Sequence, residues 1–112
     1  MPESIEQQLE QLQKNYLAKL ELDLQALKRY YQQLADPAVE NKKTTALISL
    51  QQLVHKLSGS GGCFGFPDIS TCSEPLDTYL LALINNNEQC QTEGISKLIT
   101  PLFAAIQQAL KK

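Results

Sequence analysis

Tryptophan is absent from this chain, and histidine and methionine occur once each. Three cysteines, Cys63, Cys72 and Cys90, are scattered with no C-x-x-C spacing. With a single histidine beside them, the closely spaced ligand pairs of a zinc site are missing. The odd number also argues against a disulfide framework and points to reduced thiols in a cytoplasmic protein. A catalytic pairing of Cys63 with His55 would require a fold-back just past a helix, and no third group is on hand to orient it. Lysine and arginine never stand more than two together, and the net charge is −2. A nucleic-acid footprint, which releases counterions through a basic face, is therefore not expected. No apolar run approaches the ~20 residues of a membrane span, and the opening MPESIEQQLE is acidic, without the apolar stretch of a secretory signal. Strand-like alternation and internal repeats are lacking too.

What is present is helical periodicity. Across Ser4–Leu34 the residues Ile5, Leu9, Leu12, Tyr16, Leu20, Leu24, Leu27, Tyr31 and Leu34 step by three or four. Ser4 is placed to cap, and neither glycine nor proline occurs between Glu3 and Asp36. The stripe predicts a surface helix that buries one face; its near-heptad spacing leaves a coiled-coil arm as the rival. Asp36-Pro37 stops it. A second helix then opens either at Pro37, with Asp36 as N-cap, or near Lys42, and runs to about Ser60, where Gly61-Gly62 ends it. Gly65-Phe66-Pro67-Asp68 leads into a third helix with Ile69, Cys72, Leu76, Tyr79, Leu80, Leu83 and Ile84 on its apolar face. Pro75 falls inside it, where a kink is expected, and Asn85-Asn86-Asn87 marks its end. The last helix starts between Glu88 and Ile95 and reaches Leu110 through Ile95, Leu98, Ile99, Leu102, Phe103 and Ile106.

Four amphipathic segments on short connections predict an all-α protein, an antiparallel up-and-down four-helix bundle. At 112 residues it is read as one domain over 1–112, able to bury about two-thirds of its unfolded surface without metal or disulfide.

The stretch Val54–Phe66, VHKLSGSGGCFGF, stands out. It carries the lone histidine and four of the five glycines. On a wheel of ~100° per residue starting at Leu47, Ala46, Leu50, Leu53, Val54 and Leu57 share Leu47's arc, centred near roughly 300°. His55 falls at about 80°, almost opposite, and is expected to face water. Gly59 and Gly62 share its side, as do Gln51 and Gln52 on the turn before. Interior glycine costs a helix roughly 0.5–1 kcal/mol relative to alanine, so glycines beside an exposed imidazole point to close approach by another molecule. A phosphate-cradling P-loop is rejected: these glycines follow a helix, not a strand, and no Gly-Lys-Ser/Thr ending exists.

The run His55-Lys56-Leu57-Ser58-Gly59-Ser60-Gly61-Gly62-Cys63-Phe64-Gly65-Phe66 resembles the signature of the histidine phosphotransfer (Hpt) domain family. In that family a leucine follows the histidine by two residues, a glycine by four and a second glycine by ten; Leu57, Gly59 and Gly65 occupy those places. Many members carry lysine three residues after the histidine, where this chain has Ser58; the subgroup with the most similar motif often has alanine there. The resemblance implies a four-helix bundle, with a short extra helix before the long first one and hence a bend around Lys14–Tyr16. It also implies His55 as phosphoacceptor, exchanging a phosphoryl group with aspartates of response-regulator receiver domains or a hybrid sensor histidine kinase.

A neutral imidazole is nucleophilic, and one titrating near ~6.5 is mostly neutral at pH 7. It needs no base to attack an aspartyl phosphate, a reaction governed by positioning and charge neutralisation. The chain itself offers no ATP site, no metal ligands and no cofactor site; by resemblance the receiver supplies aspartate, Mg2+ and lysine. Supporting roles fall to Lys56, whose stem can swing a charge towards the phosphoryl group, to Ser58 as hydrogen-bond donor, and to Gln51 or Gln52 as orienters of the imidazole. Gly59 and Gly62 leave room for a docking receiver. The expectation is a monomeric, cytoplasmic relay protein that is not an enzyme. Its rivals are a degenerate Hpt-like module that binds receivers or kinases without being phosphorylated, and a helical oligomerisation module built on the first helix.

Overall fold

The computed structural model describes residues 4–36, 43–86 and 92–111. Four helices account for nearly all of them: α1 (Ile5–Ala35), α2 (Lys43–Ser60), α3 (Pro67–Asn85) and α4 (Thr92–Leu110). Each packs on its sequence neighbours, α4 closes back on α1, and among the described residues the backbones of the diagonal pairs stay apart. That closed ring is the up-and-down four-helix bundle the periodicity predicted.

Helix α1 starts in a capping box. The Gln7 N–H donates to Ser4 Oγ (3.1 Å) and the Ser4 N–H to Gln7 Oε1 (3.2 Å), so two otherwise orphaned donors are satisfied. The helix then runs unbroken for 31 residues. The expected short extra helix is not set apart: α1 is continuous through Lys14–Tyr16, and the reason is local. No glycine or proline interrupts 5–35, and the Gln11 amide donates to Asn15 Oδ1 (3.0 Å) across that very turn. A second correction concerns the stripe: Tyr16, Leu20, Leu24, Leu27 and Leu34 are buried, but Ile5, Leu9 and Leu12 are exposed. At ~1.5 Å per residue α1 is about 46 Å long against about 28 Å for its neighbours, so its first turns project past the bundle.

Whether α2 begins at Pro37 or near Lys42 lies outside the described residues, as does Asn87 at the end of α3. Among those described, Asp36 closes α1, its N–H donating to Gln32 O (3.0 Å). The arc assigned to α2 is the buried one: Ala46, Leu47, Leu50, Val54 and Leu57 are covered, and Leu53 packs at the margin. Helices α3 and α4 continue through Pro75 and Pro101. Both prolines face solvent, and each removes one backbone donor from its helix. The core is almost purely aliphatic, with Leu20, Leu27, Leu50, Leu57, Leu76, Leu80, Ile99 and Ile106 essentially inaccessible. Each such side chain stabilises the fold by roughly 1.5–3 kcal/mol of transfer free energy. Ser73 alone among the described polar residues is fully buried, and its Oγ has no hydrogen-bond partner.

The turn between α2 and α3 is set by glycine. A Cβ on Gly61 would lie 2.9 Å from Phe66 O and 2.9 Å from Ser70 N, and Gly65 sits at φ +90, a region that side chains rarely enter. The Phe66 N–H returns to Gly61 O (2.8 Å), and Pro67 opens α3 at its first position. Two rings from this turn, Phe64 and Phe66, stack on Tyr16 of α1, and the Gln13 amide donates to Phe64 O (3.1 Å). The end of α2 is thereby fixed against α1.

Candidate functional site

Because one face of α2 is sunk in the core, His55 comes out on the other. Its side chain is 71% exposed. It is nevertheless held: Nδ1 lies 2.8 Å from Oδ2 of Asp77 on α3. The other oxygen of that carboxylate, Oδ1, accepts from the Gln51 amide (2.9 Å), one helical turn before His55. The Asp77 side chain is only 13% exposed. Three side chains from two helices thus form a clamp that leaves the imidazole Nε2 with no partner among the described residues and open to solvent.

Gln51, expected to orient the imidazole, is linked to the ring only through Asp77. Gln52 points elsewhere: with Asp23, Tyr30 and Lys56 it lines a shallow groove between α1 and α2. Lys56 also turns towards α1. The amino group of Lys19 beside it, and then partial burial, push its own amine below the ordinary lysine range, while Asp23 opposes the shift. Lys19, Asp23 and Lys56, with Tyr16 and Phe64, line a cavity of about 360 Å³ next to the helix end. Ser58 is half-buried, and its hydroxyl makes no hydrogen bond among the described residues.

The two glycines placed on the histidine's side part company. Gly59, one turn beyond His55, is exposed, and a Cβ there would meet nothing within 4 Å. Nothing in the chain's own packing calls for glycine at this position. Gly62 lies past the end of α2, in the turn, so its helical phase does not apply; its N–H donates to Ser70 Oγ (2.8 Å). Cys63, exposed in the same turn, is a free thiol, and Cys72 is half-buried, its thiol pushed up by burial. Cys90 lies outside the described residues. Among the described residues no group of three or more His, Cys, Asp or Glu side chains could hold a metal ion, and no helix is long and apolar enough to cross a membrane.

Asp77 is the residue that motif reasoning missed. It sits 22 positions from His55 on another helix. One signal was available: Asp77 falls one turn from Ser73 and from Leu80, at the edge of the buried stripe of α3, where a carboxylate needs a partner.

No curated protein and no solved structure gives a significant match to the chain. A family model does: the Hpt domain matches residues 3–111. With the four-helix ring and the histidine standing out from its second helix, the chain belongs to the Hpt domain family.

Proposed function

We propose that His55 is the phosphoacceptor of a phosphorelay: it takes a phosphoryl group from the aspartate of one receiver domain and passes it to another. Hpt domains are phosphotransfer modules of two-component phosphorelays, not kinases, and work with receiver domains and histidine kinases. The observation that carries the assignment is the chain's single histidine, 71% exposed on α2 with its Nε2 unengaged among the described residues. In the forward step the Nε2 lone pair attacks phosphorus, an N–P bond forms, and the P–O bond of the aspartyl phosphate breaks with the electron pair leaving on the carboxylate. The reverse step returns the pair to Nε2. The receiver supplies Mg2+ and the charge neutralisation that phosphoryl transfer requires. This chain supplies the nucleophile and a surface shaped to admit it, with Gly59 keeping the adjacent turn bare. It acts as a monomer in the cytoplasm, receiving from a hybrid sensor kinase or a free-standing receiver.

Intact mass after incubation with phosphoramidate, alongside His55→Gln, tests this. One added phosphate that is acid-labile, base-stable and missing in the variant is the expected result. A folded protein that takes no phosphate would instead make it a binding module for receivers or kinases.

A further inference from the structure

We propose that the cavity of about 360 Å³ between α1 and the end of α2 is a binding site for a small carboxylic acid with an apolar body. The carboxylate is held between the amines of Lys19 and Lys56, and the body lies against Leu12, Tyr16 and Phe64. The site is on the α1 side of α2, and nothing in its chemistry depends on the reading of His55 as phosphoacceptor.

The two amines are the observation that points to an anion. Lys56 of α2 and Lys19 of α1 come within hydrogen-bonding reach of each other, yet a protonated lysine has three donors and no acceptor. Two such groups repel, and their meeting is favourable only where one sheds its proton or an anion accepts from both. The Lys56 amine, lowered first by Lys19 and then by burial, registers that repulsion. No carboxylate of the chain relieves it: Asp23 lines the same cavity but makes no ion pair with either amine among the described residues. Burial of the methylene stems does not require the meeting. Lysines lie along apolar surface and send their ends into water, and these two side chains are exposed and free to splay apart.

The rest of the lining selects the ligand. Small-molecule sites run from about 300 to 1,000 Å³ and are mainly apolar, with a few polar groups to orient the occupant. Here Phe64 stacked on Tyr16 at 4.7 Å forms the apolar wall, and Leu12 stands 49% exposed at its edge. The Tyr16 hydroxyl is spent on Ser60 Oγ (3.3 Å), so the charged donors left over are the two amines. Two lysines and one aspartate give the lining a net charge of +1. That charge suits a monoanionic carboxylate; a dianionic phosphate would be over-charged for it and repelled by Asp23.

Naphthoate serves as the probe, and naphthamide, the same body without the charge, as its control. Titrated into the full chain labelled with 15N, naphthoate is expected to give saturable shifts centred on Lys19, Lys56 and Phe64. Naphthamide is expected to bind roughly ten-fold or more weakly, the loss that follows when a hydrogen bond to a charged group goes. Lys19→Met and Lys56→Met keep the stems; each should weaken naphthoate by a similar factor and leave naphthamide unchanged. Lys97→Met, the same loss of charge out on α4, should change neither. Naphthoate that gives no saturable shift at millimolar concentration overturns the proposal. So do shifts centred elsewhere on the surface, folded Lys19→Met and Lys56→Met that bind naphthoate as the wild type does, and equal binding of the two probes. The comparison of probes needs only the wild type, and it decides the question even where a lysine variant does not fold by circular dichroism.

Discussion

Tyr16 of α1 lies flat against Phe64 of the α2–α3 turn, ring centroids 4.7 Å apart and planes within 10° of parallel. Its hydroxyl is 3.3 Å from Ser60 Oγ. Burial pushes the Tyr16 phenol above its ordinary value; the Ser60 hydrogen bond pulls the other way, and Asp23 adds to the rise.

The pH dependence follows from that direction. A phenol whose folded pKa exceeds the unfolded value of ~10 contributes stability that is complete below ~10 and lost as pH rises through the folded value. Lys56, with its amine lowered, works in the opposite sense over the same range. Denaturant midpoints measured from about pH 9 to 11 should therefore fall more steeply for the wild type than for Tyr16→Phe. Parallel curves would mean that the phenol is not desolvated. At neutral pH Tyr16→Phe should cost only about 0.5–1.5 kcal/mol, the worth of one hydrogen bond.

Gly59 and Gly61 stand two residues apart and should answer alanine with opposite signs. At Gly59 the added methyl meets open space, so the helix gains up to about 1 kcal/mol. At Gly61 it meets backbone atoms at 2.9 Å on both sides, which cannot move aside, and a loss of about 1–3 kcal/mol is expected. Thermal or urea unfolding of the pair measures both. Gly59→Leu carries the functional half: it should fold and still accept phosphate from phosphoramidate, yet fail to accept it from a receiver domain. Receiver transfer at the wild-type rate would sink the idea that Gly59 keeps a docking surface open.

Ser73 invites the converse experiment. Its hydroxyl is buried and unpartnered on α3, and alanine both removes that cost and suits a helix better. Ser73→Ala should raise stability by about 1 kcal/mol, read from the denaturant midpoint. A clear loss would show that the hydroxyl is satisfied in solution.

Helix positions and the outward aspect of His55 could be read from the sequence because both are local: one apolar arc, 46–57, fixes the rotation of α2 and with it the imidazole. The partnership with Asp77 was beyond such reasoning, since it depends on how α3 is rotated against α2, and that is decided by Ile69, Leu76 and Leu80 settling into the core. Gly62 shows the limit from the other side: a wheel extended one residue past Gly61 assigns a face to backbone that has already left the helix. Leu9 and Leu12 show it again, since apolar spacing marks a face able to be buried without saying how far the partner helices reach.

The overhang of α1 makes one continuous helix thermodynamically uneven. From Tyr16 onward its amides are protected by the bundle, and their exchange with solvent deuterium requires large-scale opening. The turns from Ile5 to about Leu12 rest on the Ser4–Gln7 cap, the Gln11–Asn15 bond and the backbone ladder, and helical segments of that length are marginal on their own. They are able to fray while the rest stays shut. Exchange protection should therefore climb along α1 from its first turn to Tyr16 and then level off, with no break in the helix to mark the boundary.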